Sequence, residues 1–450
     1  MKSLMLYIHI PFCVRKCLYC DFLSFADHSL KTEYLKFLSN EIKTLGTTAG
    51  KGRTVTSIFI GGGTPSLLSV SELSGLMNDI RSSFNVSRDA EISMECNPGT
   101  LGVKHFSGAS ASVKHFEECS NEACSTVSDT SRETFSREKN NCETFDAVKH
   151  TVCETFRGYR EAGINRLSIG LQSDMDKHLR TLGRIHDLND FEITYSAARE
   201  AGFENINIDL MSAIPGQTVQ DWKDTLNHIV SLSPEHISAY SLIIEEGTPY
   251  YDHYISGLEF EDCKLPSLVD EDDERKMYHI TKDILLSAGF ARYEISNYAK
   301  PGFECKHNIG YWTGVEYLGL GLGAASMIAG YRFKNTSDLK TFVTYWSSDT
   351  SKCKYDANNK FCPADYAIYE EVEKNSIESM ISEFMILGLR LTKGISASEF
   401  ESKFGRKLAE MYGTAIDKHI SEGLLTYEGD RLHLTDKGLD LANYVMKDFV

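Results

Sequence analysis

No run of about 18 consecutive apolar residues occurs in the chain, so it contains no candidate for a helix that crosses a bilayer. Positive charge is also in deficit. The 47 lysines and arginines stand against 64 aspartates and glutamates, a formal net charge of −17. Nucleic-acid binders carry a basic stripe, so that class of partner is excluded. The opening residues, Met1-Lys2-Ser3-Leu4-Met5-Leu6, lack the length and the small-residue cleavage site of a signal peptide. The 12 cysteines are unevenly spread, and 450 residues can build a large core without disulfide staples. Reduced thiols and a cytoplasmic location are therefore expected.

What is present alternates β and helical patterns. Strands are expected at Leu6–Ile10, Val55–Ile60, Glu91–Asn97, Arg166–Gly170, Asn205–Met211 and His236–Leu242. Helices are expected between most of them, at Leu30–Leu45, from Ser69, and around 154–162, 188–201 and 218–231. Ser69 and Glu72 have capping-box spacing, and Leu73, Leu76, Met77, Ile80 and Phe84 share one helix face. Alternation of this kind means βαβ units and a parallel sheet. Six strands are too few for an eight-fold barrel, so the expected fold is an α/β partial (β/α)6 barrel. Its ligand chemistry belongs at the C-terminal ends of the strands.

Residues from about 101 to 153 break this rhythm and read as an inserted mobile loop within a core of residues 1–245. The segment repeats Val103-Lys104-His105-Phe106 as Val113-Lys114-His115-Phe116 and, in part, as Val148-Lys149-His150. Glu-Thr-Phe recurs at 133–135, 143–145 and 154–156. Its Cys119, Cys124, Cys142 and Cys153, with His105, His115 and His150, match no structural zinc spacing, which favours a plain insertion. Residues 246–365 connect the core to a C-terminal region, 366–450. Within the connection, the acidic run Asp270–Glu274 suits the first turn of a helix. A helix at 376–391, two more at 397–403 and 406–421, and strands Leu424–Tyr427 and Arg431–Leu434 around Glu428-Gly429-Asp430 give a winged-helix-like α+β pattern. Residues 366–450 carry 15 acidic against 10 basic residues, which favours a packing or protein-contact module over DNA binding.

Cys13-Val14-Arg15-Lys16-Cys17-Leu18-Tyr19-Cys20 is a C-x₃-C-x₂-C run directly after the first strand. Three thiolates so close converge on one centre. On a four-iron cluster they leave one iron open to chelate a small molecule through amino and carboxylate groups. The alternative is a zinc knuckle, but zinc sites use paired C-x₂₋₄-C units, and no second pair has suitable spacing.

Placed after the first strand, this motif resembles the signature of the radical S-adenosylmethionine (SAM) superfamily. Gly61-Gly62-Gly63-Thr64-Pro65 after the second strand resembles that superfamily's glycine motif, where bare backbone can approach a methionyl amino group. Further segments in order are Tyr7-Ile8-His9-Ile10-Pro11-Phe12, Glu95-Cys96-Asn97-Pro98, Arg166-Leu167-Ser168-Ile169-Gly170-Leu171-Gln172-Ser173, Leu182-Gly183-Arg184-Ile185-His186, Asn207-Ile208-Asp209-Leu210-Met211 and Pro215-Gly216-Gln217-Thr218. Together they are similar to the coproporphyrinogen dehydrogenase-like branch, which holds oxygen-independent dehydrogenases and heme chaperones. The resemblance implies a [4Fe–4S] cluster on Cys13, Cys17 and Cys20, and SAM contacts from Tyr7, Tyr19, Gly62, Gly63, Thr64, Glu95, Gln172, Arg184 and Asp209.

Two differences turn the reading away from the dehydrogenases. They carry a further cysteine two residues beyond the third ligand, where this chain has Phe22, and an N-terminal extension, where this chain has only a few residues before Tyr7. In the second half, Tyr293–Ala299, Cys305–Trp312 and Tyr317–Ala324 resemble heme-chaperone segments. The H-N-x-x-Y-W element, His307 to Trp312, is associated there with heme handling, and an imidazole is a natural axial ligand of heme iron. His307 is thus the candidate heme ligand, with Cys305 second and a structural histidine as the competing explanation. The resemblance implies a chaperone that binds heme and passes it to an acceptor protein, any membrane contact coming through that acceptor. Oxidative decarboxylation of coproporphyrinogen is the alternative.

Overall fold

The structure is a computed structural model that describes residues 1–101, 134–258, 265–347 and 361–450, with side chains between 134 and 258 described from residue 146. Cys119, Cys124, His105, His115 and the first two copies of the Val-Lys-His repeat lie outside the described residues, and Cys142 falls where side chains are not described.

Six strands form the centre: β1 Lys2–Ile10, β2 Arg53–Gly62, β3 Val86–Cys96, β4 Arg166–Gln172, β5 Ile206–Ser212 and β6 His236–Ser241. They pair in that order, all parallel. Helices α1 Lys31–Thr47, α2 Val70–Ser83, α3 Thr134–Ala162, α4 Asp176–Thr181, α5 Leu188–Glu200 and α6 Val219–Ser231 make the crossovers. The capping box expected at Ser69 is present: its side chain accepts from Glu72 N–H, and Glu72 accepts from Ser69 N–H. Asp187/Asp190 and Thr218/Asp221 start α5 and α6 in the same way.

Alternate residues of each strand meet the helices. Leu6, Ile8, Ile58, Ile60, Ile92, Met94, Leu167, Ile169, Ile208 and Leu210 form one buried apolar core with them. The intervening residues are polar and equally buried, among them Ser57, Glu91, Ser93, Arg166, Ser168, Asn207 and His236. Buried polar groups cost stability unless they are hydrogen-bonded, and these cross-link strand to strand. Asn207 Nδ2 donates to Ser168 Oγ (2.7 Å), and its Oδ1 lies 2.6 Å from His236 Nδ1. The sheet is apolar on the helix side and polar on the inside of its curve.

Two expectations are corrected. The sheet does not stop near residue 245. On the β6 edge, β7 Ala291–Arg292 and β8 Asn297–Ala299 add antiparallel strands. On the other edge, β9 Tyr317–Leu320 pairs in parallel with β1, followed by antiparallel β10 Ala325–Ile328, β11 Tyr331–Asn335 and β12 Tyr369–Lys374. Strands of two to six residues carry too little periodicity to read from sequence. Second, the loop expected to run to residue 153 ends earlier, because α3 begins at Thr134. Val152, Cys153 and Phe156 are buried in the core, which makes Cys153 a core residue.

The C-terminal region has a core of its own, including Met385, Phe400, Phe404, Ile416, Leu432 and Phe449. Helices Ile377–Leu389, Ala397–Phe404 and Leu408–Ser421 pack with a small sheet of β13 Ile395–Ser396, β14 Leu425–Glu428 and β15 Arg431–Leu434. The hairpin turns at Gly429, whose φ of +61° suits glycine. The fold is thus an α/β partial barrel with a smaller winged-helix-like α+β unit. No helix among the described residues is long and apolar enough to cross a membrane.

Glu41 of α1 anchors the glycine-rich turn after β9. It accepts from Gly321 N–H (2.7 Å) and from Asn335 Nδ2 (2.6 Å) in full burial. Burial pushes its carboxyl up to about 8, against the pull of those two donors. A folded-state value above the unfolded one means that the stabilisation is complete below about pH 4.5 and is lost as the pH rises through about 8. Urea unfolding should therefore show stability falling over that window, by up to about 5 kcal/mol from this group. Glu41→Gln should flatten the dependence; an unchanged slope would remove Glu41 as its source.

Candidate functional site

The cysteine loop leaves the C-terminal end of β1 and is pinned at both ends. Phe25 N–H donates to Pro11 O (2.8 Å), Cys13 N–H donates to Phe25 O (3.0 Å), and His28 Nε2 lies 3.0 Å from Cys13 O. In the middle, Leu18 N–H donates to Leu182 O (3.1 Å) and Cys20 N–H to Cys17 O (3.3 Å). Cys13, Cys17 and Cys20 are half-buried free thiols. Burial, with the other two cysteines adding to it, pushes Cys20 up to about 11, so a metal would have to displace its proton on binding.

The expected SAM residues converge around this loop, at the C-terminal ends of the strands. Gly62 N–H donates to Glu95 Oε2 (3.0 Å), and Thr64 Oγ1–H donates to Cys13 Sγ (3.4 Å). Gly62 has φ +112°, and a Cβ there would stand 2.5 Å from the His9 ring; one on Gly63 would stand 2.8 Å from Phe12 O. Only glycine permits this approach of backbone to β1. Glu95 and Asp209 are close enough to repel. Burial, then Asp209, pushes Glu95 up to about 8 against the Gly62 N–H. Burial also raises Asp209, against donors on Asn207, Ser168 and Ser238 and the charge of Arg166. Two crowded carboxylates of this kind favour a proton or a cationic ligand.

Arg184 closes the ring. Its Nη2 donates to Asn97 Oδ1 (2.8 Å) and Gly170 O (2.6 Å); its Nη1 reaches Tyr19 OH (3.5 Å) and Cys17 Sγ (3.8 Å). Its Nε is shut off from solvent without a hydrogen-bond partner, and no carboxylate pairs with it among the described residues. Gln172 holds a strained φ of +72° where β4 bulges, and its Oε1 accepts from Tyr240 OH (2.8 Å). Tyr7 OH donates to His9 Nδ1 (3.0 Å), while His9 Nε2–H donates to Leu23 O in the cysteine loop (2.8 Å).

These residues fit a cluster with a small zwitterionic ligand. Three free thiols supply the donor set, and an under-partnered guanidinium beside them favours thiolate and a ligand carboxylate. Among the described residues, no three His, Cys, Asp or Glu side chains are gathered for a single metal ion. A cube differs, because each thiolate binds its own iron.

His307 does not face this site. It is 1% exposed, with Nδ1 2.9 Å from Ser57 Oγ, Nε2 3.1 Å from Tyr311 OH, and its backbone N–H donating to Glu91 (3.1 Å). Burial, then Arg166, pushes the imidazole down to about 3, so it is neutral. Both ring nitrogens face hydroxyls, so in this arrangement the imidazole is tied to Ser57 and Tyr311, and ligation of a heme iron there would require one of those contacts to break. Cys305 is fully buried, its thiol 3.4 Å from Glu91 Oε1. The competing structural explanation describes both residues.

Sequence reasoning missed three positioning residues. His9 and Asn97 lie inside the quoted motifs, but nothing in their spacing shows that one ties β1 to the cysteine loop or that the other joins Thr64 (3.0 Å) to Arg184. Tyr240 carries no local signal at all.

Comparison with known proteins follows the same lines. A family model described as the radical SAM superfamily matches residues 7–229, and one described as the HemN C-terminal domain matches residues 376–441. The chain is 33% identical over 447 residues to the heme chaperone HemW of Bacillus subtilis (strain 168), covering 99% of this chain and 98% of that protein. It is 32% identical to the HemW of Lactococcus lactis subsp. lactis (strain IL1403), covering 99% and 96%. For the HemW of Escherichia coli (strain K12) the identity is 30%, covering 100% and 99%. The solved coproporphyrinogen III oxidase HemN from Escherichia coli, a radical SAM enzyme, superposes with a TM-score of 0.70 over 100% of this chain and 90% of that one. At 21% identity that likeness shows the fold alone.

Gly62→Ala tests the close approach. Adding a methyl at φ +112° against the His9 ring should cost about 1–3 kcal/mol and weaken SAM binding at least about tenfold, measured by urea unfolding and equilibrium dialysis. Unchanged stability and affinity would show that the approach is not required.

Proposed function

The chain belongs to the HemW family of the radical SAM superfamily, and from that premise we propose that it is a cytoplasmic heme chaperone that carries a SAM-ligated [4Fe–4S] cluster and delivers heme to an acceptor protein. The observation that carries the cluster reading is the cysteine loop braced against Arg184, a cation with no carboxylate partner among the described residues. Cys13, Cys17 and Cys20 would hold the cluster, which when bound supplies one-electron chemistry at its open iron. Arg184 is placed to meet a carboxylate, and Glu95 and Asp209 to accept from an ammonium or ribose hydroxyls. Gly62 and Gly63 give backbone access, Thr64 steadies Cys13, Gln172 orients Tyr240, and Tyr7 and Tyr19 wall the pocket. Phe22 is exposed at the position where the resembling dehydrogenases have a further cysteine, which argues against carrying over decarboxylation.

Anaerobic reconstitution with iron and sulfide should give a four-iron absorbance that Cys13→Ala, Cys17→Ala and Cys20→Ala each abolish. Hemin should bind with a Soret band. Coproporphyrinogen III, SAM and a reductant should yield no protoporphyrinogen. Formation of that product would replace the chaperone reading with the dehydrogenase one, and a cluster that survives the triple substitution would remove the cofactor assignment.

A further inference from the structure

We propose that the cleft between β10 and the C-terminal unit, at the end of the sheet opposite the cysteines, is the docking site for a planar apolar anion of the porphyrin class. This rests on the heme-carrying reading above and gives that cargo a place in the fold.

The cleft has a volume of about 300 Å³. Its apolar wall is Trp312, Met327, Ile328, Met380, Phe384 and Leu387. The Arg390 guanidinium lies 4.3 Å from the Trp312 ring centroid, which fixes the indole plane, and the indole N–H has no acceptor among the described residues. Four charged groups line the cleft. Glu316 is paired with Arg53 (2.8 Å) and Glu383 with Arg332 (2.6 Å). The other two, Lys2 and Lys403, enter no ion pair among the described residues, and Lys403 is held 5.2 Å from the Phe384 ring. In a chain of net charge −17, an apolar wall whose unmatched charges are both positive selects an anion with a large apolar face. A porphyrin with two propionates has that form. Met327 and Met380 add thioethers, an established kind of heme-iron ligand, and Met380 is 38% exposed.

Size and place agree with transport. About 300 Å³ is the low end for ligand sites, so the cleft would take part of a macrocycle and leave the rest in solvent, as suits a cargo that must be handed on. Lys2 opens β1 and Ile10 closes it, so nine residues separate the cleft from the cysteine loop, roughly 30 Å of strand. A ligand in the cleft lies out of contact with the cluster. It is carried, not processed.

The test titrates hemin, and hemin dimethyl ester, into the reconstituted full chain and follows the Soret band. Lys2→Ala/Lys403→Ala should weaken hemin about tenfold or more and leave the ester unaffected. Met380→Ala should shift the Soret band and weaken binding, while the four-iron absorbance and SAM affinity stay as in the parent chain. Cys13→Ala should bind hemin normally. Variants that bind hemin as tightly as the parent, or hemin binding lost with Cys13→Ala, would overturn the site and leave the chaperone reading standing. A parent chain that takes up no hemin would remove both.

Discussion

The guanidinium of Arg184 joins three segments that reach it from different parts of the chain. It meets Tyr19 and Cys17 of the cysteine loop, Asn97 at the end of β3, and the Gly170 carbonyl in β4. None of these partners carries a fixed negative charge. A partly buried cation without a counter-ion is costly, and the cost falls when thiolates or a carboxylate arrive beside it. The mouth is therefore built as one half of an electrostatic pair. The two buried carboxylates Glu95 and Asp209 are the complementary half, both held above their ordinary range by burial, Glu95 also by the charge of Asp209. A ligand with an acidic group at one end and an ammonium at the other relieves both.

Below the mouth, the interior of the barrel is a polar solid. Asn207, Ser168 and His236 are cross-linked, and His236 Nε2 reaches Tyr293 OH (2.8 Å). Along β1 and β2 the links are aromatic. His307 lies 5.4 Å from Phe59, Phe59 lies 6.4 Å from Tyr7, and Tyr7 bonds His9, which holds the cysteine loop at Leu23. The loop that positions the thiols thus rests on a column that reaches the floor of the barrel. Rigid packing of this sort keeps a first shell in place when the shell itself is made of flexible loop.

Much of this was legible in the sequence where the signal is local. The three cysteines stand out through their spacing, the six core strands through short apolar runs, and Ser69 through the glutamate three residues on. What stayed hidden depends on distant contacts. The pairing of β9 with β1 joins residues more than 300 positions apart through only four residue pairs. The α3 segment from Asp146 to Cys153 is too polar to announce a helix, and its order comes from Val152, Cys153 and Phe156 packing into the core. The inward turn of His307 stayed hidden because an H-N-x-x-Y-W pattern states residue types and not which way they face.

Helix geometry resolves that last point. His307 and Tyr311 are four residues apart on the helix Lys306–Trp312, so they share a face, and their side chains bond at 3.1 Å. Trp312 is five residues from His307, a rotation of roughly 140° around the helix, so it points nearly the opposite way. One face completes the polar floor of the barrel; the other supplies the indole that lines the outer cleft. A single short element can then be tied to heme handling without its histidine touching iron. The histidine fixes the helix against Ser57 and Glu91, and the helix sets the tryptophan.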